Sequence, residues 1–288
     1  MKYQFMHNHK HIFPIIIQCQ VLTVKSSGYY AWIRRSPSRR AIENARLLGK
    51  IRDIHEGSRQ TYGSPRVFRA LQKKGYRVSR PRVARIMKKH DIRSKIRRKF
   101  KVTTYSKHRH PISPNLLNQN FKVDQPNEVW TSDITYVYTR EGWFYLTVIQ
   151  DLFNREIVGW SMSSRLTADT TTIPSLIQAC GRQKPEAGLI FHSDQGIQYA
   201  CDSFREHLSK NNMIQSMCGK GNCYDNAVTE SFFHTLKTEL IHHEKYQTKT
   251  QARLSVFEYI EVFFNRERMH STLGYKTPVE YKILKEAA

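Results

Sequence analysis

The sequence of 288 residues predicts an α/β protein in which a mixed sheet with flanking helices follows an all-helical N-terminal region. Helical spacing of the apolar residues dominates the first hundred positions, and the period-two alternation typical of strands begins near residue 128. A charge boundary lies close to this change. Residues 1–110 contain 29 Lys and Arg and 4 Asp and Glu, a net charge of +25, whereas the remainder carries −2.

An excess of positive charge at one end of a chain indicates a polyanionic partner. A nucleic acid is the leading candidate; an anionic membrane surface is the alternative, although no long basic amphipathic helix with a bulky apolar face stands out. No apolar run approaches the roughly 18 residues of a membrane span, and the N-terminus lacks the features of a signal peptide. The scattered cysteines predict reduced thiols rather than a zinc site. We therefore expect a cytoplasmic protein that does not bind membranes.

Residues 1–60 form the first predicted unit, an N-terminal helical region. The string QVLTVKSSGYYAW predicts a short helix, a turn and a second helix. A longer helix is predicted over RRAIENARLLGKIRDIHEG, because its apolar residues recur on one side. Those residues are Leu47, Leu48, Ile51 and Ile54.

Residues 61–102 carry the signals of two short helices separated by a turn. Ser64 is the predicted N-cap of the first helix, with Pro65 at its first position and Gly75 just past its end. Ser79 is the predicted cap of the second helix. Two short helices around a glycine-containing turn are typical of a helix-turn-helix-like DNA-binding domain; a plain helical hairpin with a solvated basic face is the alternative.

The second of these helices has an apolar side formed by Val83, Ile86 and Met87, and a basic side. The string KKHDIRSKIRRKFK, which begins within this helix, has eight Lys or Arg in fourteen positions. Such a density favours contact with phosphates over a merely soluble surface. The predicted DNA contacts of this domain are Arg82, Arg85, Lys89, Arg97 and Arg98.

Residues 103–126 are predicted to be a linker, because prolines interrupt any periodicity there. Residues 127–288 form a folded core with a C-terminal helical extension. Strands are predicted in EVWTSDITYVYT, GWFYLTVIQDL, REIVGWSMS, GLIFHSD and residues 213–217. Helices are predicted at 168–181, at 201–211, in GNCYDNAVTESFFHTLKTEL and at 249–266. Three hairpin-connected strands followed by alternating helices and strands is the order of a ribonuclease H-like core.

Three carboxylates of this core occupy informative positions. Asp133 lies in the middle of the first strand, where aspartate is disfavoured. Asp194 follows a buried strand, and Glu230 lies near the start of a helix. Each alone has a simpler interpretation: a solvated acid, a turn former or a charge favoured by the helix dipole. Together they form an acidic set with sixty residues between the first two and thirty-five between the last two.

Four strings of the core carry a family resemblance: WTSDITY, HSDQGIQY, GNCYDNAVTESFFHTLK and FNRERMHSTLGYKTPVEY. They look like transposases of the bacterial IS-three insertion-sequence family, specifically its second-frame, orfB-type product. The acidic set resembles the triad of the catalytic core shared by DDE transposases and retroviral integrases. The strings VLTVKSSGYYAW and YGSPRVFRALQKKGYRVSRPRVARIMK are similar to the family's N-terminal region, so the resemblance runs from about residue 19 to 282.

The resemblance implies an integrase-like catalytic core that cleaves DNA strands with metal ions and joins them through attack by a 3′-hydroxyl. Asp133, Asp194 and Glu230 would be the catalytic residues and would hold two Mg²⁺ ions, with Mn²⁺ as a substitute. Carboxylates suit this role because Mg²⁺ prefers hard oxygen ligands, and two ions can act on the attacking and leaving oxygens.

The resemblance also implies partners for a bacterial, nucleoid-associated protein. These are double-stranded DNA, as element ends and target, and the upstream-frame helix-turn-helix and leucine-zipper protein of the same element. A homo-oligomer is expected as well, because two element ends must be handled together.

The helix of Glu230 carries a polar stripe. On a helix Glu230, His234 and Lys237 fall within about 60° of one another, opposite Val228 and Phe232. The family pattern likewise places a basic residue seven positions after the glutamate. We expect Lys237 and His234 to contact a DNA phosphate beside the metal site; an ordinary surface Glu–Lys pair is the alternative.

Two further side chains are candidates to support the site. His192, two residues before Asp194, either serves the site or is a packed core histidine. Asp151 either adds a charge near the site or organises the turn that follows it. A family pattern, YNxxRxH, is matched with Phe264 in place of the tyrosine. The matching residues are Asn265, Arg268 and His270.

Two other functions are open on the sequence alone. One is a non-catalytic DNA-binding regulator with a degenerate core, although the intact acidic set argues against decay. The other is a nuclease that only hydrolyses DNA, which an assay for joined rather than cut products would distinguish from a transposase.

Overall fold

The computed structural model describes residues 1–95, 110–219 and 223–287, with the backbone alone for Cys223 and Tyr224. The N-terminal helices are α1 (Lys2–Asn8), α2 (Ile15–Val21), α3 (Ser26–Arg34), α4 (Arg39–Gly57), α5 (Ser64–Lys73) and α6 (Arg80–Lys89). The strands are β1 (Val129–Thr139), β2 (Gly142–Asp151), β3 (Ile157–Ser163), β4 (Ile190–Ser193) and β5 (Ile214–Met217). The remaining helices are α7 (Thr172–Gln183), α8 (Ile197–Ala200), α9 (Asp202–Lys210), α10 (Ala227–Glu239), α11 (Lys249–Phe257) and α12 (Pro278–Glu286). None of the helices in these described ranges is long and apolar enough to cross a lipid bilayer.

The described strands form one sheet in the order β3-β2-β1-β4-β5. β1 pairs antiparallel with β2, and β2 with β3, as hairpin-connected strands must. β4 and β5 then add in parallel on the other side of β1. The order confirms the mixed, ribonuclease H-like sheet with flanking helices that the succession of elements predicts.

Both faces of the sheet are buried against helices. One face packs on α7, α8 and α9 through a cluster that includes Trp130 and Leu176. The other packs on α10 and α11 through a cluster that includes Val148 and Phe232. Because side chains alternate along a strand, Asp133 lies on the α10 side of β1. At the far end of β1 the alternation separates a buried side from an exposed one, since Val137 is buried and Tyr136 and Tyr138 are exposed.

The two helices of the predicted helix-turn-helix are α5 and α6. Gly75 follows α5 with a φ of 81°, a conformation that glycine adopts readily. Ser79 is the N-cap residue of α6, as predicted. The N-cap prediction for Ser64 is wrong, because Gly63 is the N-cap of α5 and Ser64 is its first residue. Pro65 consequently occupies the second position, where it is tolerated because the first-turn N–H groups have no partner within the helix.

The helices α4, α5 and α6 share an apolar core with the C-terminal part of the chain. Ile51 and Leu71 belong to a cluster that also contains Met269. The hydroxyl of Tyr62 donates a hydrogen bond to the carbonyl of Glu267 (3.1 Å) and accepts one from the N–H of Met269 (2.8 Å). The helix-turn-helix-like region is thereby packed against the C-terminal part of the chain.

Part of the predicted linker is packed against the sheet. The N–H of Leu116 donates to the hydroxyl of Ser216 (3.0 Å), and the N–H of Met217 donates to the carbonyl of Pro114 (3.3 Å). Leu117 is buried. This stretch therefore runs along β5 as part of the folded core.

Several helix bounds differ from the predicted ones. The helix predicted at 168–181 is a 3-10 turn, Ala168–Thr170, followed by α7. The helix predicted at 249–266 changes from α11 to a π-helix over Glu258–Glu267. Its five-residue step places Tyr259 beside Phe264, and both are buried. Packing of bulky aromatic side chains against the sheet thus accompanies a change of helix type that periodicity did not predict.

Candidate active site

Asp133 and Asp194 are brought together by the parallel pairing of β1 and β4. The register places Thr131 beside His192, so that continuing it by two residues places Asp133 beside Asp194. Neighbouring strands are about 4.8 Å apart, which brings two residues distant in sequence to adjacent positions. The site therefore lies where β4 ends and β1 continues past it.

Main-chain N–H groups orient both aspartates. One oxygen of Asp133, Oδ1, accepts from the N–H of Ile134 at 2.7 Å, and Oδ1 of Asp194 accepts from the N–H of Gly196 at 2.9 Å. A Cβ atom added at Gly196 would lie 2.9 Å from Oδ1 of Asp194. Glycine in the string HSDQG thus permits the close approach that holds this carboxylate.

Glu230 is presented by the first turn of α10, which hydrogen bonds fix over β1. The hydroxyl of Thr229 donates to that of Thr131 at 2.8 Å, and the amide of Asn226 donates to the carbonyl of Ser132 at 3.2 Å. Thr229 is buried and Glu230, the next residue, is exposed. The helix therefore anchors itself on β1 and leaves the Glu230 carboxylate accessible.

The three carboxylates influence one another. Burial raises the pKa of Asp133 well above its usual range, and the charges of Asp194 and Glu230 raise it further. Lys237 and the hydrogen bond from Ile134 oppose this increase in the pKa. The pKa of Glu230 is also raised, because its carboxylate, although accessible, is partly desolvated. Crowded carboxylates of this kind favour uptake of protons or cations.

The donor set suits Mg²⁺ or Mn²⁺, because all three side chains offer hard oxygen ligands. Among the described residues, however, no three His, Cys, Asp or Glu side chains lie close enough together to hold one metal ion in common. That Asp133, Asp194 and Glu230 hold metal ions together therefore stays a prediction. Mutual repulsion of the three carboxylates opposes closer approach, and bound cations would offset it.

Lys237 and His234 lie on the same side of α10 as Glu230. Nζ of Lys237 lies 5.2 Å from the ring centroid of Tyr136, at cation–π distance. Burial lowers the pKa of Lys237, while Tyr136 and Asp133 counteract this effect. His234 is exposed. The ammonium group is therefore held within electrostatic range of Asp133.

His192 is buried behind the site. Its Nδ1 lies 2.8 Å from the hydroxyl of Ser216, and its Nε2 lies 3.1 Å from the carbonyl of Asp225. Burial lowers the pKa of His192, which favours the neutral ring. The histidine is thus a core side chain that also ties β4 to the segment preceding α10.

Asp225 and Asn226 immediately precede α10, where either type of side chain could cap the helix. Asn226 is the N-cap residue of α10 but makes no side-chain capping bond. The carboxylate of Asp225 instead accepts from the side chains of Asn115 (2.9 Å) and Gln119 (3.2 Å) and from the N–H of Gly219 (2.8 Å). It joins Asn115 and Gln119 to the start of the segment that leads into α10, a supporting role that sequence reasoning missed because these two side chains are about a hundred residues away.

Asp151 lies at the end of β2 and organises the turn that follows. Its carboxylate accepts from the N–H of Asn127 at 2.8 Å and from that of Phe153 at 2.9 Å. Its carbonyl accepts from the N–H of Arg155 at 2.9 Å. Burial raises the pKa of Asp151 to about 6.

The candidate DNA contacts of the N-terminal region differ in their surroundings. Arg82 is engaged within the protein, by Glu43 at 2.9 Å and by Asn44 at 2.9 Å. Arg85 and Lys89 are exposed on α6. Arg97 and Arg98 lie outside the described residues.

Comparison with known proteins places these features in a family. An integrase core domain model matches residues 123–223, an HTH-like domain model matches 42–100, and a second integrase core domain model matches 230–285. Among solved structures, the HTLV-2 integrase catalytic core domain in complex with magnesium is 18% identical, covers 55% of this chain and 97% of its own, and has a TM-score of 0.41.

Two curated relatives match nearly end to end. "Insertion element IS600 uncharacterized 31 kDa protein" of Shigella sonnei is 44% identical over 264 residues, which are 92% of this chain and 97% of the relative. "Transposase InsF for insertion sequence IS3A" of Escherichia coli (strain K12) is 40% identical over 284 residues, 98% of each chain. The resemblance in the sequence motifs is therefore confirmed over the whole length. This chain belongs to the IS3 family of insertion-sequence transposases, with an integrase core behind a helix-turn-helix-like region.

Proposed function

We propose that this chain moves an insertion sequence by metal-dependent cleavage of DNA strands and transfer of the freed 3′-hydroxyl ends to new phosphodiesters. Family membership supports the reaction class. The single structural observation that carries it is the parallel register that sets Asp133 beside Asp194, under the helix that presents Glu230.

The three carboxylates are the proposed metal ligands and catalytic residues. Two Mg²⁺ ions held by Asp133, Asp194 and Glu230, or Mn²⁺ in their place, would activate the attacking oxygen and stabilise the leaving oxygen. Asp133 is the central ligand, because its carboxylate is influenced by both of the others. Asp133, Asp194 and Glu230 form an acidic edge of the sheet. Main-chain N–H groups orient the oxygens of Asp133 and Asp194 for an incoming phosphodiester.

Basic side chains are proposed to hold the DNA. Lys237, with its charge near Asp133, would meet the phosphate next to the reacting one, and His234 lies exposed one turn away. Arg85 and Lys89 on α6, with the basic run that follows, would contact the backbone of the element end. Two ends act together, so a homo-oligomer is part of the proposal, as is the upstream-frame protein of the same element. The compartment we propose is the bacterial cytoplasm, at the nucleoid.

The test uses the purified full chain, with and without the upstream-frame product, on duplexes that carry an element end and on a target plasmid with Mg²⁺. Asp133→Asn, Asp194→Asn and Glu230→Gln are each expected to lower cleavage and joining at least about 100-fold, because a metal ligand contributes several kcal/mol to the transition state. Asp202→Asn, which removes an exposed acid on α9, is the matched control and should stay fully active.

Binding of the duplex, followed by fluorescence anisotropy, should be retained in all four variants. Full activity in any one of the three carboxylate variants would overturn the site assignment. Products that are cut but never joined would instead identify a hydrolytic nuclease.

A further inference from the structure

A basic cavity of about 280 Å³ lies against α10, the helix that presents Glu230, and the proposed chemistry does not use it. Four separate segments line it: α5, the turn after β2, the first turns of α10 and the residues after the π-helix. Its basic side chains are Arg66, Arg155, Arg268 and His270. On α10 the lining residues Val228, Ser231 and Phe232 lie about 100° to 160° around the axis from Glu230, so the cavity and the Glu230 carboxylate lie on different sides of the same helix.

Three polar atoms at this cavity are buried and have no hydrogen-bond partner among the described residues: Oε1 of Gln150, Nη1 of Arg155 and Nε2 of His270. Gln150 is only 2% exposed. Its amide nitrogen donates to the carbonyl of Arg155 at 2.8 Å, which fixes the orientation of its oxygen. Buried polar atoms are nearly always paired, so three unpaired ones on residues around one cavity mark a place where water or a polar ligand would supply the missing partners.

The charge of the cavity indicates which kind of ligand. Glu239 binds Arg268 at 2.8 Å and lies 4.0 Å from Arg66, so one carboxylate serves two guanidinium groups. Arg155 adds a third guanidinium group, whose charge the Asp151 carboxylate partly offsets. Burial, and then the charges of Arg268, Arg66 and Arg155, hold the pKa of His270 well below its usual range. An anion in this space would offset the accumulated positive charge.

We infer that this cavity binds a phosphate group of the DNA backbone and holds the strand alongside α10 while the acidic edge acts on it. Arginine forks match the geometry of phosphate oxygens, and the exposed hydroxyls of Ser231 and Thr272 at the rim are further donors to phosphate. Water bound with the phosphate can donate to Gln150 and His270. The inference rests on the proposed function, because it takes DNA as the source of the phosphate.

The experiment measures binding of the full chain to a fluorescent duplex in EDTA, so that strand cleavage plays no part. Arg155→Gln and Arg266→Gln each remove one positive charge, and Arg266 is exposed outside this cavity. Arg155→Gln should weaken affinity about 10-fold and reduce the salt slope by about one, whereas Arg266→Gln should change affinity less than about 2-fold. Equal effects of the two substitutions would overturn the inference.

A second pair of variants tests the inference independently, in case Arg155→Gln does not fold. Thr272 is exposed at the rim, so Thr272→Glu and Thr272→Gln should both fold and differ only in charge. Thr272→Glu should weaken DNA binding about 10-fold relative to Thr272→Gln, because it places a carboxylate against the incoming phosphate. No difference between these two variants counts against a phosphate in this cavity.

Two further arms identify the source of the phosphate. A set of duplexes is made in which each member has one phosphate replaced by an uncharged methylphosphonate. Replacement at one position should weaken binding to the wild type but not to Arg155→Gln. If inorganic phosphate raises the melting temperature of the wild type and not of Arg155→Gln, while both bind DNA equally, the cavity takes free phosphate and the DNA assignment is overturned. A wild type that binds DNA but neither cuts nor joins it in Mg²⁺, even with the upstream-frame product present, would refute the proposed function and leave this binding test valid.

Discussion

Three aspartates of this protein carry the same carboxyl group but have different roles, because their surroundings differ. Asp133 is crowded by Asp194 and Glu230, as a metal ligand would be. Asp225 is surrounded by amide and main-chain donors, and its carboxylate joins two distant segments. Asp151 is bound by two main-chain N–H groups inside the fold, where it closes a turn. The residue type and its spacing in the sequence do not distinguish these roles. The neighbouring groups in the folded structure do.

Asp151 gives a prediction at this scale. Burial raises its pKa from 3.8 to about 6, so between about pH 4 and pH 6 the folded protein keeps a proton that the unfolded chain has lost. The stability from this proton is fully present below pH 4 and is lost as the pH rises through 6, a change of about 3 kcal/mol. Asp151→Asn has no such ionisation, so wild type should lose about 3 kcal/mol more than the variant between pH 4 and pH 7.

Urea unfolding at a series of pH values measures this difference. Exposed Asp202→Asn serves as the control and should follow the wild-type curve. Parallel curves for wild type and Asp151→Asn would show that the Asp151 carboxyl titrates as it does in the unfolded chain.

At the scale of elements, the position of α7 on the sheet depends on one small residue of β3. A Cβ atom added at Gly159 would lie 2.4 Å from the carbonyl oxygen of Ser175 and 2.7 Å from Cβ of Ala179. Both contacts belong to α7, and the first is to its main chain. The absence of a side chain at Gly159 therefore sets how closely helix and strand approach.

Gly159→Ala should consequently destabilise the protein by about 2–4 kcal/mol, because α7 must move away from the sheet. Gly181→Ala is the matched control on α7 itself, since nothing lies within 4 Å of its added Cβ. Alanine is the better helix former, so this control should be neutral or stabilising by up to about 1 kcal/mol. Chemical denaturation of both variants decides the matter, and equal stabilities would contradict the close packing.

At the scale of the whole molecule, a buried ionic junction joins the helix-turn-helix-like region to the catalytic half. Glu239, at the end of α10, binds Arg268 through both oxygens, at 2.9 Å and 2.8 Å. Arg66 of α5 lies 4.0 Å from the same carboxylate, and the hydroxyl of Tyr259 donates to it at 2.8 Å. The helix that presents Glu230 therefore ends in the contact that holds the N-terminal region.

Glu239→Gln should destabilise the protein by about 3–5 kcal/mol, because it leaves the Arg268 guanidinium buried without a counter-charge. Asp53→Asn, which breaks the exposed pair with Lys50, is the comparison and should cost less than about 0.5 kcal/mol. Thermal unfolding of the two variants measures the contrast. A melting temperature of Glu239→Gln equal to that of the wild type would show that the junction contributes nothing to stability.

Much of the fold follows from local patterns. Alternation predicts β1, and turn residues such as Gly75 predict the ends of helices, because side-chain periodicity and backbone preference act over a few residues. The succession of strands and helices then limits the sheet to few topologies. The place where local reasoning fails is instructive: the π-helix after α11 accompanies burial of Tyr259 and Phe264 against the sheet, a contact between distant segments.

The sequence by itself determined the class of fold, the acidic set and the family, since motif strings and periodicities are properties of the order of residues. Tertiary structure alone decided that β4 pairs in parallel with β1, that Asp225 holds a loop from about a hundred residues away, and that four segments enclose a basic cavity. These features arise from strand register and packing between remote parts of the chain. Local spacing does not contain that information, because the free energy that selects such contacts is shared across the folded core.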